Sequence, residues 1–117
     1  MIRSFRDLDV WKEAIGLVKS IYLITKEFPK EETYGLINQM RRCAVSIPSN
    51  IAEGKTRQHV NEYIQFLYIS LGSCAELETQ VIISKELGYM SEETKNKTLE
   101  KIDHICRMTR NLIKSLR

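Results

Sequence analysis

Apolar residues recur along this chain at intervals of three and four, the spacing that stacks side chains on one face of an α-helix, and they do so in four successive blocks. In the first block two neighbouring seams run side by side: Leu8, Trp11, Ile15, Val18 and Tyr22, then Val10, Ala14, Leu17, Ile21, Ile24 and Phe28. One seam suffices to join a bundle, so the second predicts either deep burial or contact with another subunit. Asp7 or Asp9 is placed to cap this helix. Phe28 and Pro29 end it, because the residue before a proline is pushed out of helical geometry.

The second block, Ile37, Met40, Ala44, Ile47 and Ile51, predicts a helix over residues 33–53 with Thr33 as its cap. Pro48 falls inside it. A proline there removes one intrahelical hydrogen bond and crowds the carbonyl of Ala44, at a cost of about 3 kcal/mol. The apolar register nevertheless passes through Pro48 unshifted, which favours one helix kinked at Pro48 over two separate ones. Gly54 is expected to close it in a left-handed conformation. The third block predicts a helix over residues 59–87, its inner stripe being Tyr63, Phe66, Leu67, Ser70, Cys74, Leu77, Val81 and Ser84. Gly72, Ser73 and Ala75 interrupt its bulk, where a neighbouring helix is expected to pack closely. Gly88 is the stop signal, with Tyr89 folding back as its apolar contact. Ser91 caps the fourth helix, whose buried row reads Leu99, Ile102, Cys106, Thr109, Ile113 and Leu116. The connections are short, so the predicted fold is all-α: an antiparallel up-down-up-down four-helix bundle forming one domain over residues 1–117.

Composition narrows the class without naming a function. With 43% hydrophobic and 28% charged residues the chain resembles an ordinary folded protein and not a disordered one. The charge-free stretch over residues 63–75 is too short and too polar to cross a bilayer, and the N-terminus lacks a signal-like apolar run, so the expected location is the cytoplasm. Cys43, Cys74 and Cys106 are far apart in sequence and sit among apolar helical positions, which reads as small buried hydrophobes and not as a disulfide frame or a metal site.

A net charge of +3 implies little by itself; its distribution matters more. In the predicted topology Arg3, Arg6, Lys55, Arg57, Arg110, Lys114 and Arg117 gather at one pole against only Asp7, Asp9, Glu53 and Glu62, with His59 nearby. At the other pole Lys26, Lys30, Lys85, Lys95 and Lys97 are balanced by Glu27, Glu31, Glu32, Glu86, Glu92 and Glu93. A basic pole is the footprint of a phosphate-backbone binder. The cations ending the fourth helix are also explained by its dipole. Arg41 and Arg42 are adjacent and point about 100° apart, so both cannot serve one face. One of them is expected to pair with a carboxylate, such as Glu76 or Glu78.

Catalytic chemistry finds no support in the spacing of residues. A carboxylate-bridged metal pair in a bundle needs Glu-x-x-His on two helices; here Glu100 and His104 are four apart, and His59 and Glu62 run in the reverse order. Neither an activated nucleophile nor a glycine-rich phosphate loop is present, so no enzyme activity, metal or cofactor is expected. Asn50 and Glu53, three apart on one side of the second helix, are assigned with Pro48 and Gly54 to structural work: holding the helix end and the loop that follows.

The stretches RRCAVSIPSNIAEG (residues 41–54), LDVWKEA (8–14), FPKEETYGL (28–36) and FLYISLGSCAELETQ (66–80) resemble, in order and spacing, the bacterial four-helix bundle proteins encoded in intervening sequences of 23S ribosomal RNA genes. The likeness runs to Gly88 and weakens in the fourth helix. Cys43 and Ser49 stand where that family more usually shows alanine, and both are small enough for packing to survive. The resemblance implies a left-handed bundle assembled as a ring-shaped homopentamer, with no established enzymatic activity and a largely unknown function. A similar pentameric bundle is the accessory protein of diversity-generating retroelements, thought to bind nucleic acid and the reverse transcriptase. The expectation is a non-enzymatic oligomer whose basic pole contacts RNA or DNA through Arg41, Arg42, Lys55 and Arg57. The alternative is a protein-interaction scaffold whose cations satisfy carboxylates of neighbouring subunits.

Overall fold

The computed structural model describes residues 4–117; Arg3, counted above among the cations of the basic pole, lies outside them. Among the described residues all regular structure is helical. A 3-10 turn (Phe5–Asp7) leads into α1 (Asp9–Thr25), a 3-10 turn (Lys30–Glu32) and a wide π turn (Thr33–Ile37) lead into α2 (Asn38–Lys55), and α3 (Val60–Glu86) and α4 (Glu92–Leu116) follow. Each helix packs against its sequence neighbour and α4 packs back against α1, so α1 and α3 lie on opposite corners of an antiparallel four-helix bundle. The long axis of 43 Å is set by α3, whose 27 residues rise about 40 Å.

The core is built from the predicted faces. Val10, Ala14, Leu17 and Ile21 of α1, Met40, Ala44, Ile47 and Ile51 of α2, and Leu67, Cys74, Leu77 and Val81 of α3 are all buried. In α4 the row shifts by one position in places: Thr98, Ile102, Ile105, Thr109 and Ile113 are buried, while Leu99, Cys106 and Leu116 sit at its margin. Thr98 and Thr109 enter the interior because each hydroxyl donates to the carbonyl four residues back, which removes the cost of burying it.

The caps differ from expectation at the first two helices. Ser4 and Asp7 form a capping box on the short 3-10 turn, and Leu8, without a side-chain cap, precedes α1. Thr33 does not cap α2; its hydroxyl donates to the Lys30 carbonyl, while the Glu32 carboxylate accepts from the Leu36 N–H. A non-helical Gly35 (φ −109°, ψ −113°) widens the turn there.

Gly54 is not a left-handed terminator. It lies within α2, and Gly88 (φ 81°) is the one residue with positive φ among those described. A β-carbon on Gly54 would lie 2.8 Å from Phe66 Cβ and 3.2 Å from the Tyr63 carbonyl oxygen, so this glycine lets α2 and α3 approach closely. Gly72, expected to serve that purpose, faces open space. Gly88 does end α3: its N–H donates to Lys85 O and that of Tyr89 to Ser84 O. The Tyr89 ring then packs 5.4 Å from that of Phe28, and its hydroxyl donates to Glu32.

α2 runs unbroken through Pro48, and extra donors surround it. Asn50 Nδ2 donates to Ser46 O, Ser46 Oγ to Cys43 O, and Ser70 Oγ to Ile47 O from the facing helix. These side-chain hydrogen bonds fall on the carbonyls of Cys43, Ser46 and Ile47, which flank that of Ala44, the one whose amide donor the proline removes.

Two apolar faces remain outside. On α1 the first seam is buried at Leu8, half covered at Trp11 and Val18 and open at Ile15 and Tyr22, and Leu23 beside it is 63% exposed. On α3, Val60, Ile69, Ile82 and Ile83 are exposed, spread around its outer half and along its length. α3 is long and apolar enough, by length and composition alone, to cross a bilayer, a test that the core helix of a bundle also passes; a third of that stretch is buried within the bundle.

Candidate nucleic-acid interface

The four arginines and lysines singled out by sequence are not brought together. Arg41 and Lys55 are separated by 14 residues of one helix, about 21 Å of rise. Arg41 turns back onto α1: its Nε donates to Thr25 Oγ1 at 2.9 Å, an Nη donates to Tyr22 O at 3.4 Å, and its guanidinium lies 4.5 Å from the centre of the Tyr22 ring. There a cation meets the carbonyl end of a helix, the arrangement its dipole favours. Arg42 is exposed beside the polar groove between α2 and α3 with Asn38, Asn50 and Glu76. Neither arginine forms an ion pair among the described residues; Glu76 instead accepts from Gln80 Nε2 at 3.3 Å.

Lys55 and Arg57 do sit at the basic pole, each against an aromatic ring of α3. Lys55 Nζ is 5.9 Å from the centre of the Tyr63 ring and the Arg57 guanidinium 4.7 Å from that of Phe66. Arg57 also pairs with Glu53 at 2.8 Å, an exposed contact between residues four apart worth about 0.3–0.5 kcal/mol. Glu53 therefore holds the loop, whereas Asn50 reaches backwards into its own helix.

A larger concentration of charge lies between α3 and α4. Arg107, Arg110, Lys114 and Arg117 fall three, four and three residues apart, one stripe down the last turns of α4. They line a groove of about 430 Å³ with Asn111, Ile113 and, from α3, Tyr68. No acidic side chain lines it. Arg107 is tied to Asp103 at 3.3 Å, while Arg110, Lys114 and Arg117 have no ion pair among the described residues. Arg117 donates to the Tyr68 hydroxyl at 2.8 Å. Tyr68 escaped the sequence reading because it lies on the outward side of α3. Its signal is nonetheless present, an aromatic two turns into the third helix, opposite the basic end of an antiparallel fourth.

At the opposite end three lysines are paired with carboxylates, while Lys26 and Lys30 form no ion pair among the described residues. Lys85 and Lys95 share Glu92, and Lys97 meets Glu93 at 3.1 Å. The hydrogen bond from Lys95 holds the Glu92 carboxyl below the ordinary carboxylate range.

The cysteines are distant in sequence but not in space. The bundle sets Cys106 of α4 beside Cys74 of α3. Hydrogen bonding from Cys74 and the nearby Arg110 charge make Cys106 more acidic than an ordinary thiol, while the same contact and burial raise Cys74. Cys43 donates to Ser73 O, and burial, aided by the Glu76 charge, pushes its pKa up to about 12.

The family model described as 23S rRNA-intervening sequence protein matches residues 6–111. The chain belongs to that family. A crystal structure of a protein of unknown function from the S23 ribosomal protein family of Bacteroides thetaiotaomicron superposes with a TM-score of 0.80 at 20% identity, covering 90% of this chain and 98% of the other. At that identity the likeness speaks for the shared bundle alone. Among curated proteins there is no match. Within this intervening-sequence family member, the match spans every helix but stops at Asn111, short of Lys114 and Arg117.

Proposed function

We propose that this protein is a non-enzymatic, self-associating bundle that binds nucleic acid, RNA in the first instance, through its basic pole. One observation carries the reading: Lys85, Lys95 and Lys97 are paired with carboxylates at one end, whereas Arg110, Lys114 and Arg117 have no ion pair among the described residues and lie in a groove that no acidic side chain lines at the other. The contact residues are Arg110, Lys114 and Arg117, with Lys55 at the neighbouring helix end. Arg41 is committed to the end of α1, and Arg42 lies toward the other pole.

Self-association is supported by the outward apolar seam of α1 and by the scattered exposed apolar residues of α3 on the opposite corner, surfaces that differ in residues. Two unlike faces suit a head-to-tail contact, which closes into a ring when the rotation between copies permits. A ring repeats each cation around one axis, so a modest charge per copy becomes a dense rim.

Filter binding of RNA at two salt concentrations tests this. Arg110→Gln combined with Lys114→Gln should lower affinity and reduce the slope of log affinity against log salt by about one per lost phosphate contact, while Arg42→Gln leaves both unchanged. Unaltered affinity in the double variant rejects the surface. No binding by the unsubstituted protein leaves the scaffold reading in its place.

A further inference from the structure

We infer that the groove between α3 and α4 takes a single-stranded nucleic acid, one unpaired base stacking on Tyr68 while neighbouring phosphates meet Arg110, Lys114 and Arg117. The inference rests on the nucleic-acid reading above and specifies the form of the ligand.

A patch that only tracks a duplex backbone needs cations and nothing else. This groove contains an aromatic ring among them, 46% exposed. Two other rings near cations are already covered: the Arg41 guanidinium lies 4.5 Å from the centre of Tyr22 and that of Arg57 4.7 Å from Phe66, both within stacking range. The Arg117 guanidinium lies farther from Tyr68, 5.9 Å from the ring centre, and donates to the hydroxyl, leaving the residue 46% exposed. Exposed aromatic rings beside backbone-tracking cations are how single strands are held without sequence preference, since every base has a stacking face and a paired base does not offer it. The groove of about 430 Å³ falls at the lower end of the range for small-ligand pockets, room for one nucleotide and not for a helix. Along α4 the three cations follow one another in single file, about 6 Å and then about 4.5 Å apart in rise.

The probes are a short oligouridylate and an RNA duplex of equal length, with the matching oligodeoxythymidylate to compare sugars. The unsubstituted protein should prefer the single strand. Tyr68→Ala should weaken single-strand binding roughly 5- to 150-fold with little change in salt slope, and Tyr68→Phe, which keeps the ring and loses the hydroxyl, should bind nearly as well as the parent. Because Tyr68 is half exposed, both variants are expected to fold; circular dichroism and mass in solution check that they match the parent. Equal affinity for duplex, or unchanged affinity in Tyr68→Ala while Arg110→Gln/Lys114→Gln still loses binding, overturns the stacking inference and leaves the basic pole standing. Loss of binding by Tyr68→Phe as severe as by Tyr68→Ala also overturns it. Absence of any binding overturns both.

Discussion

At single residues the structure separates glycines that look alike in sequence. A methyl group on Gly54 would press on Tyr63 and Phe66, so Gly54→Ala should destabilise the bundle by about 1–3 kcal/mol and lower its melting temperature by several degrees. Gly16, with nothing within 4 Å of an added β-carbon, should gain up to about 1 kcal/mol from the same change. Paired thermal melts decide between them; a destabilised Gly16→Ala would reveal a neighbour that one copy does not contain. The cysteines divide as well. Since Cys106 ionises below the ordinary thiol range, iodoacetamide on the folded protein at mildly alkaline pH should label it first, with Cys43 and Cys74 following only on unfolding, as read by peptide mass. For Cys43 the sign runs against alkali. Its pKa is 9.0 in the open chain and about 12 when folded, so below pH 9 it contributes no difference. Above that the unfolded state loses its proton first and stability falls as pH rises toward 12, an effect that Cys43→Ala should diminish.

At the scale of elements, the junction between α1 and α2 depends on Arg41. Arg41→Gln should free the Thr25 hydroxyl and the carbonyl end of α1, lowering stability by about 1–2 kcal/mol while leaving RNA affinity as it was. A fall in affinity at unchanged melting temperature would restore Arg41 as a contact. Repetition at three and four made α2 legible straight through its proline, because core registry is a property of the helix itself. Its ends were less legible: the sequence offers Thr33 and Gly54 as ordinary cap residues, and the folded chain uses Glu32 for one task and a close crossing for the other. The slip in α4 has a similar origin. Threonine reads as polar until a carbonyl one turn back accepts its hydroxyl, so Thr98 and Thr109 enter the core while Leu99 moves to its edge.

At the scale of the whole molecule, the groove of about 420 Å³ lined by Val18, Tyr22, Leu23 and Val45 together with Lys19 and Lys26 is the surface on which ring assembly is most exposed to test. Leu23→Glu with Val45→Glu places carboxylates in it. Light scattering should show the parent as a multiple of 13.7 kDa and this variant as a single copy with its helical content intact. A parent that is already monomeric at micromolar concentration would remove the ring, and the shared basic rim with it.

By itself the sequence determined the number of helices, most of the residues each turns inward, and the stop at Gly88, since all three follow from side-chain period and local backbone freedom. It also indicated that cations would collect at one end, which needs only helix order and short connections. Which cations share a surface was decided by tertiary structure, because that depends on rotation about each helix axis. That rotation turns Arg41 onto the end of α1, sets Cys106 against Cys74, and stands Tyr68 of one helix across from the basic stripe of another.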